Sequence, residues 1–130
     1  MFIKMKTQKN LGIWMDHSTA NLIDINSKNE YRSIVSKFTS ETKEKALNRS
    51  ESLMHNKRQQ MHEEFYEKIG AEILKFNHVL LFGPTNAKVE LHNYLNKNLH
   101  FKNIKIDIES SDKITDNKQV AFVKKHFEKT

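Results

Sequence analysis

The sequence predicts a mixed α/β fold, a single β-sheet flanked by helices in the order β-β-β-α-β-α-β-α. Three observations carry that expectation. Residues 11–38 hold three short apolar or alternating runs separated by compact turn signals, the pattern of a strand meander. From Met61 apolar residues recur at helical spacing, and helix-like stretches then alternate with two short strand-like runs. A strand-helix-strand succession needs crossover connections, so the later strands are expected to be parallel while the first three form hairpins.

Each element has its own signal. Leu11-Gly12-Ile13-Trp14-Met15-Asp16 reads as a buried strand, and His17-Ser18-Thr19 as a turn. Ala20–Ile25 returns as a second strand that alternates near its end. Asn26-Ser27-Lys28-Asn29 is a dense turn signal before the third strand, Tyr31–Phe38. Ser40 to Gln60 contains no Gly or Pro, carries five basic and three acidic side chains, and offers only Ala46, Leu47, Leu53 and Met54 as apolar anchors. So few anchors do not offset the roughly 1–2 kcal/mol per residue that ordering a backbone costs. The 39–60 segment is therefore expected to be a mobile polar loop or a loosely attached helix.

Met61, Phe65, Ile69, Ile73 and Leu74 then set one apolar stripe on a helix. His78-Val79-Leu80-Leu81-Phe82 is a short buried strand closed by Gly83-Pro84. Thr85 is the expected cap of a helix running to about Lys97, with Val89, Tyr94 and Leu95 on its buried side. Ile104–Ile108 alternates strictly, as a half-buried strand does. Thr115 is the expected N-cap of the last helix, Asp116 opposes its dipole, and Val120, Phe122, Val123 and Phe127 form its apolar face. A sheet with this mixture of hairpins and crossovers is of the general kind seen in RNase H-like folds.

The chain of 130 residues is expected to form one domain, with residues 1–9 as a tail. Hydrophobic residues make up 37% and charged residues 29%, enough for a core of modest size. No apolar run approaches the roughly 18–20 residues that span a bilayer, which excludes a transmembrane helix. The basic N-terminus lacks the apolar stretch and small-residue cleavage site of a secretory signal, so a cytoplasmic location is expected. Without cysteine there is no disulfide, no thiolate zinc site and no thiol nucleophile.

A net charge of +6 points to a polyanionic partner. Composition pulls the other way, because Arg32, Arg49 and Arg58 are the only arginines and the lysines are accompanied by 13 asparagines. Lysine and asparagine rising together is the mark of AT-rich coding, which adds charge without selecting for RNA.

Gly83-Pro84-Thr85-Asn86-Ala87-Lys88 lies between a strand and a helix, as phosphate loops do, yet it lacks the second Gly and the Lys-Ser/Thr pair of a Walker loop. Lys88 in the first helical turn leaves a phosphate contact open, beside the plainer reading of a tight turn. His62-Glu63-Glu64-Phe65-Tyr66 has Tyr66 where a zinc protease needs its second histidine, and His55 and His62 are expected to be solvated side chains. Trp14 belongs to the core. No small-molecule substrate is indicated.

The more informative grouping is spatial. If the strands at 11–16, 79–82 and 104–108 are parallel neighbours, their C-terminal ends share one edge, where α/β sheets place ligands. That edge would gather Asp16, His17, Gly83, Thr85, Lys88, Glu109, Ser110, Ser111 and Asp112. Asp16, Glu109 and Asp112 would then be candidates to hold Mg²⁺ through oxygen ligands, as in a metal-dependent RNA hydrolase. The alternative is structural: Asp16 fixes the first turn by accepting backbone N–H bonds, and Asp112 belongs to a loop approaching the last helix.

The opening Leu11–Asp16 with Asn21-Leu22-Ile23-Asp24 resembles the first hairpin of the middle domain of archaeo-eukaryotic peptide-chain release factors and Pelota. Val79–Leu91 resembles the strand-turn-helix of that domain. The likeness to small bacterial proteins called translational machinery proteins is closer. Their opening, turn and late acidic segment stand here as Trp14-Met15-Asp16-His17, Gly83–Lys88 and Glu109-Ser110-Ser111-Asp112. The resemblance covers roughly residues 10–128 and is weakest between 39 and 60.

What the resemblance implies is an RNase H-like α/β fold and an association with the ribosome in rescue, release or hibernation. It does not imply peptide release. Release factors carry a Gly-Gly-Gln motif after the third strand, and Thr39 to Gln60 contains no glycine to give Arg58-Gln59-Gln60 that backbone freedom.

The sequence thus leads to a non-catalytic, ribosome-associated factor needing no cofactor. It would bind rRNA or a ribosomal surface through Lys43, Lys45, Arg49, Lys57 and Arg58, and through Lys118, Lys124, Lys125 and Lys129 of the last helix. The alternatives are the Mg²⁺-dependent hydrolase and a protein-interaction module with no nucleic-acid role.

Overall fold

The computed structural model describes residues 9–26, 31–36 and 51–128. Strands β1 (Asn10–Met15), β2 (Thr19–Ile23), β3 (Tyr31–Val35), β4 (His78–Gly83) and β5 (Lys105–Ser110) form one sheet in the order β3-β2-β1-β4-β5. Helices α1 (Glu51–Ile73), α2 (Ala87–Leu95) and α3 (Asp116–Glu128) flank it, giving the mixed α/β architecture that the sequence predicts. β1 pairs antiparallel with β2, and β2 with β3, whereas β1-β4 and β4-β5 are parallel. Lys43, Lys45, Arg49 and Lys129, the 1–8 part of the tail, the 37–38 end of the expected third strand and the 39–50 part of the polar segment lie outside the described residues.

Strand alternation sends side chains to two cores, because successive residues point to opposite faces of a sheet. Leu11, Ile13 and Met15 of β1 and Val79 and Leu81 of β4 pack with Phe65, Ile69 and Ile73 of α1 and Leu91 and Leu95 of α2. On the other face Trp14, Ile23, Leu80 and Phe82 pack with Val123 and Phe127 of α3. Phe82 and Phe122 stack with ring centroids 4.5 Å apart. Trp14 is a core residue, 5% exposed. Gly12 belongs to the same face as Trp14, and a Cβ there would lie 2.2 Å from Cγ2 of Val123, so α3 rests directly on the β1 backbone.

A buried polar chain fixes the tilt of α3. Ser33 donates its hydroxyl to Asn21 Oδ1 at 2.7 Å, Asn21 Nδ2 donates to Gln119 Oε1 at 3.0 Å, and Gln119 Nε2 donates to the Ile114 carbonyl at 3.0 Å. Buried amides must find partners, and here the two amides find them in each other, in the Ser33 hydroxyl and in the Ile114 carbonyl. Thr115 Oγ1 accepts from the Lys118 N–H at 3.4 Å, as its N-cap position requires.

β2, β3 and β5 end at Ile23, Val35 and Ser110 rather than at Ile25, Phe38 and Ile108, and three helix boundaries also differ from the sequence expectation. α1 begins at Glu51 rather than at Met61, so of the two expectations for this segment, loop or helix, residues 51–60 take the helical one and open a long helix. Their apolar pattern is weak, but none of them is Gly or Pro and intrinsic propensity continues the helix outward from its packed half. The N-cap position of α2 is Asn86 rather than Thr85, but the Asn86 side chain makes no capping bond and the Thr85 hydroxyl accepts the Ala87 N–H at 3.2 Å. α2 ends at Leu95 rather than near Lys97, because Asn98 starts a separate turn at Leu99–Phe101 by accepting the His100 N–H. Its fully buried side is Ala87, Lys88, Leu91 and Leu95, since the four-residue repeat starts two residues before Val89, while Tyr94 packs against the same core half-buried.

Candidate functional site

The C-terminal edge of the parallel strands is where the sequence places its candidates, and Gly83 shapes that edge. Its φ of 149° is a conformation that side-chain-bearing residues avoid, and a Cβ would stand 2.1 Å from the Met15 carbonyl oxygen. β4 therefore leaves the sheet in close contact with β1 and turns through Pro84, Thr85 and Asn86 into α2. Lys88 does not reach outward from this turn. It is 6% exposed, and its ammonium folds back to donate to the Thr85 carbonyl.

Asp16 ends β1 and closes the first hairpin turn. Its Oδ1 accepts the backbone N–H groups of Ser18 and Thr19, both at 2.8 Å, and its own N–H donates to the Thr19 carbonyl. That turn holds His17 over the start of α2, where Nε2 stands 3.3 Å from Glu90 Oε1. The same oxygen accepts the Tyr66 hydroxyl at 2.8 Å. His17 stacks on His62 at 6.0 Å, and Tyr66 lies 5.9 Å from the Tyr94 ring.

Glu90 thus joins the first hairpin, α1 and α2. Beside it lies a surface groove of about 410 Å³, lined by Gln59, His62, Glu63, Tyr66, Glu90, Asn93, Tyr94 and Lys97. Its lining combines two phenol rings, one imidazole, two amides, two carboxylates and one ammonium, a polar groove with aromatic walls.

The electrostatics agree with a binding surface. Burial pushes the Tyr66 hydroxyl well above the ordinary tyrosine range, and its hydrogen bond to Glu90 and the Glu90 charge push the same way. Tyr66 is therefore a donor at physiological pH, not a base. Burial also raises Glu90, but hydrogen bonds from Tyr66 and His17 and the charges of His17 and His62 outweigh it and hold the carboxyl below its usual range. Tyr94 is raised by burial and by the charges of Glu67 and Glu63.

The remaining candidates do not converge here. Glu109 faces the opposite side of the sheet, with Oε2 2.9 Å from Nδ1 of His126 on α3. Asp112 is on the loop after β5, where its carbonyl accepts the Ser111 hydroxyl at 3.1 Å. Asp16, Glu109 and Asp112 accordingly make no shared Mg²⁺ arrangement: alternation along β5 turns Glu109 toward α3, and Asp16 is occupied by its own turn. Lys118, Lys124 and Lys125 are exposed on α3. Lys57 and Arg58 fall on the first half of α1.

Sequence reasoning missed Glu90, Tyr66 and Tyr94 because they meet only when two helices dock side by side. The one available signal was a histidine immediately after the first strand, which must face whatever covers that edge.

A crystal structure of Archaeoglobus fulgidus Pelota is similar to this chain with a TM-score of 0.57 and 10% sequence identity. The similarity covers 93% of this chain and 32% of that one, so the chain spans about a third of the length of that structure. At this identity the likeness is one of fold. No family model matches the sequence, and no curated protein does.

Proposed function

We propose that this chain is a ribosome-associated translation factor that acts by binding rRNA or a ribosomal surface, not by catalysis. The observation that carries this reading is the Pelota-like fold over 93% of the chain. The charge of +6 and the exposed Lys118, Lys124 and Lys125 of α3 support a polyanionic partner. At these helical spacings the three lysines share the side of α3 that points away from the sheet.

The edge cluster supports binding over chemistry. Tyr66 stays protonated, Glu90 is engaged by two donors, and the Lys88 ammonium is folded onto a carbonyl. In this reading the α1–α2 groove seats a base or side chain of the partner between Tyr66, Tyr94 and Lys97, while α3 contacts phosphates.

The test is a sucrose-gradient profile of tagged protein from growing and from starved cells. Migration with ribosomal particles that shifts with growth state supports the proposal. Protein confined to the top of both gradients overturns it.

A further inference from the structure

A second polar cluster lies at the other end of β4, on the face covered by α3. His78 of β4, Asp107 of β5 and His126 of α3 each offer one ligand atom, and these atoms lie within 4.8 Å of one another. His78 Nε2 is 2.6 Å from Asp107 Oδ2, and His126 Nε2 is 2.8 Å from the same oxygen. Alternation explains the meeting. His78 shares its face of β4 with Leu80 and Phe82, Asp107 and Glu109 share theirs on β5, and both rows look at α3.

From this geometry we infer a zinc-class metal site formed by His78 Nε2, Asp107 Oδ2 and His126 Nε2. The rings are already oriented for it. Phe127 meets the His78 ring edge-on at 5.0 Å and the His126 ring at 5.1 Å. The far nitrogen of His126, Nδ1, lies 2.9 Å from Glu109 Oε2. With Nδ1 held by Glu109, Nε2 of His126 is the ring nitrogen that faces Asp107 Oδ2, at 2.8 Å, and His78 Nε2 reaches the same oxygen, so the three ligand atoms converge on one point. Carboxylates that hold the second nitrogen of a ligating imidazole are the usual support of such sites.

The donor set selects the metal. Two imidazoles and one carboxylate suit Zn²⁺ and its borderline neighbours, whereas Mg²⁺ takes oxygen ligands. Tetrahedral zinc bonded at about 2.0–2.1 Å holds neighbouring ligand atoms about 3.3 Å apart. The 2.6 and 2.8 Å contacts must therefore open by roughly half an ångström or slightly more, a small side-chain rotation. His78 is 5% exposed at its side chain, His126 13% and Asp107 26%, so the site is deep at one end and open to a water ligand at the other. The bound ion would tie the edge strand and the last helix together.

The experiment is calorimetric titration of Zn²⁺ into the full chain after chelator treatment, with the visible spectrum of bound Co²⁺ as a report on geometry. One equivalent is expected, with the intense bands of a four-coordinate ion. His126→Gln and Asp107→Asn should each weaken binding at least about 100-fold, and Glu109→Gln by about 10–100-fold. His92→Gln and His100→Gln should leave it unchanged. Should a ligand variant fail to fold, ring ¹⁵N NMR of the unaltered protein decides, because zinc must shift Nε2 of His78 and His126 and no other histidine's nitrogens. Absence of stoichiometric uptake, uptake indifferent to His126→Gln and Asp107→Asn, or ¹⁵N shifts at other histidines would overturn the assignment.

Discussion

Replacing Gly12 with alanine tests the seating of α3 on the sheet. The new methyl would lie 2.2 Å from Cγ2 and 2.7 Å from Cγ1 of Val123, where carbon contacts normally begin near 3.5 Å. Val123 is fully buried and α3 is pinned by the Asn21–Gln119 amide pair, so neither yields freely. Overpacking of this kind costs about 1–3 kcal/mol, and alanine's smaller unfolded-state entropy returns only about 0.4–1 kcal/mol. The expected net loss is about 1–2 kcal/mol. Val123→Ala alone removes two buried methyl groups, worth about 0.8 kcal/mol each before the cavity is counted, and should lose about 2 kcal/mol. Together the two changes should cost at least about 1 kcal/mol less than their sum, because the alanine methyl enters the vacated space. Urea denaturation of all four proteins, followed by the fluorescence of Trp14 in the same core, measures the cycle. A Gly12→Ala protein as stable as the parent, or strictly additive losses, would refute the packing of α3 on β1.

Other expectations follow from the candidate site. Gly83→Ala should destabilise more than Gly12→Ala, because the roughly 1–3 kcal/mol of backbone strain adds to a clash with the Met15 carbonyl, and its urea midpoint gives the comparison. Tyr66→Phe should lose roughly 0.5–1.5 kcal/mol and let Glu90 titrate closer to its ordinary value, which carboxyl NMR would detect. Acid should weaken the fold through Glu72 and Glu90. The Glu72 carboxyl is lowered first by the Arg32 hydrogen bond, against a smaller opposing effect of burial and with help from Lys75, and Glu90 is lowered as described above. Because both sit below their unfolded values, their contribution is complete above the ordinary 4.5 and disappears as pH falls through the lowered values. A urea midpoint that is level toward neutrality and declines below pH 4.5 is expected, and Glu72→Gln should flatten the decline.

The sheet was legible in the sequence because its strands are short apolar runs bounded by turn residues, and the parallel half followed from helices interposed between strands. Gly83 was legible as the close of a strand, since Gly-Pro stops both regular structures. The start of α1 was not legible, because residues 51–60 lack the apolar stripe that marks the packed half, and propensity alone gives a faint signal. At the candidate edge the sequence shows residue types but not the directions their side chains take. Asp16, Lys88 and Glu109 have the residue types of a phosphate or metal site, yet local hydrogen bonds and strand alternation turn each one elsewhere. The His78–Asp107–His126 cluster was hidden for the opposite reason. Asp107 looks like the solvent-facing member of an alternating strand, and only the docking of α3 shows that this face is covered.

The central claim is that α3 presents a phosphate-binding face to the ribosome, and salt-titrated binding to purified ribosomes tests it most directly. Counterion release makes the logarithm of affinity fall linearly with the logarithm of salt concentration, with a slope that reflects how many phosphates the protein neutralises. Measurable co-sedimentation is expected at low salt, with a slope shallower by about one unit for each phosphate-binding lysine removed in the Lys118→Glu, Lys124→Glu and Lys125→Glu series. Protein that stays in the supernatant at low salt, or a triple variant with the parent's affinity and slope, would contradict it.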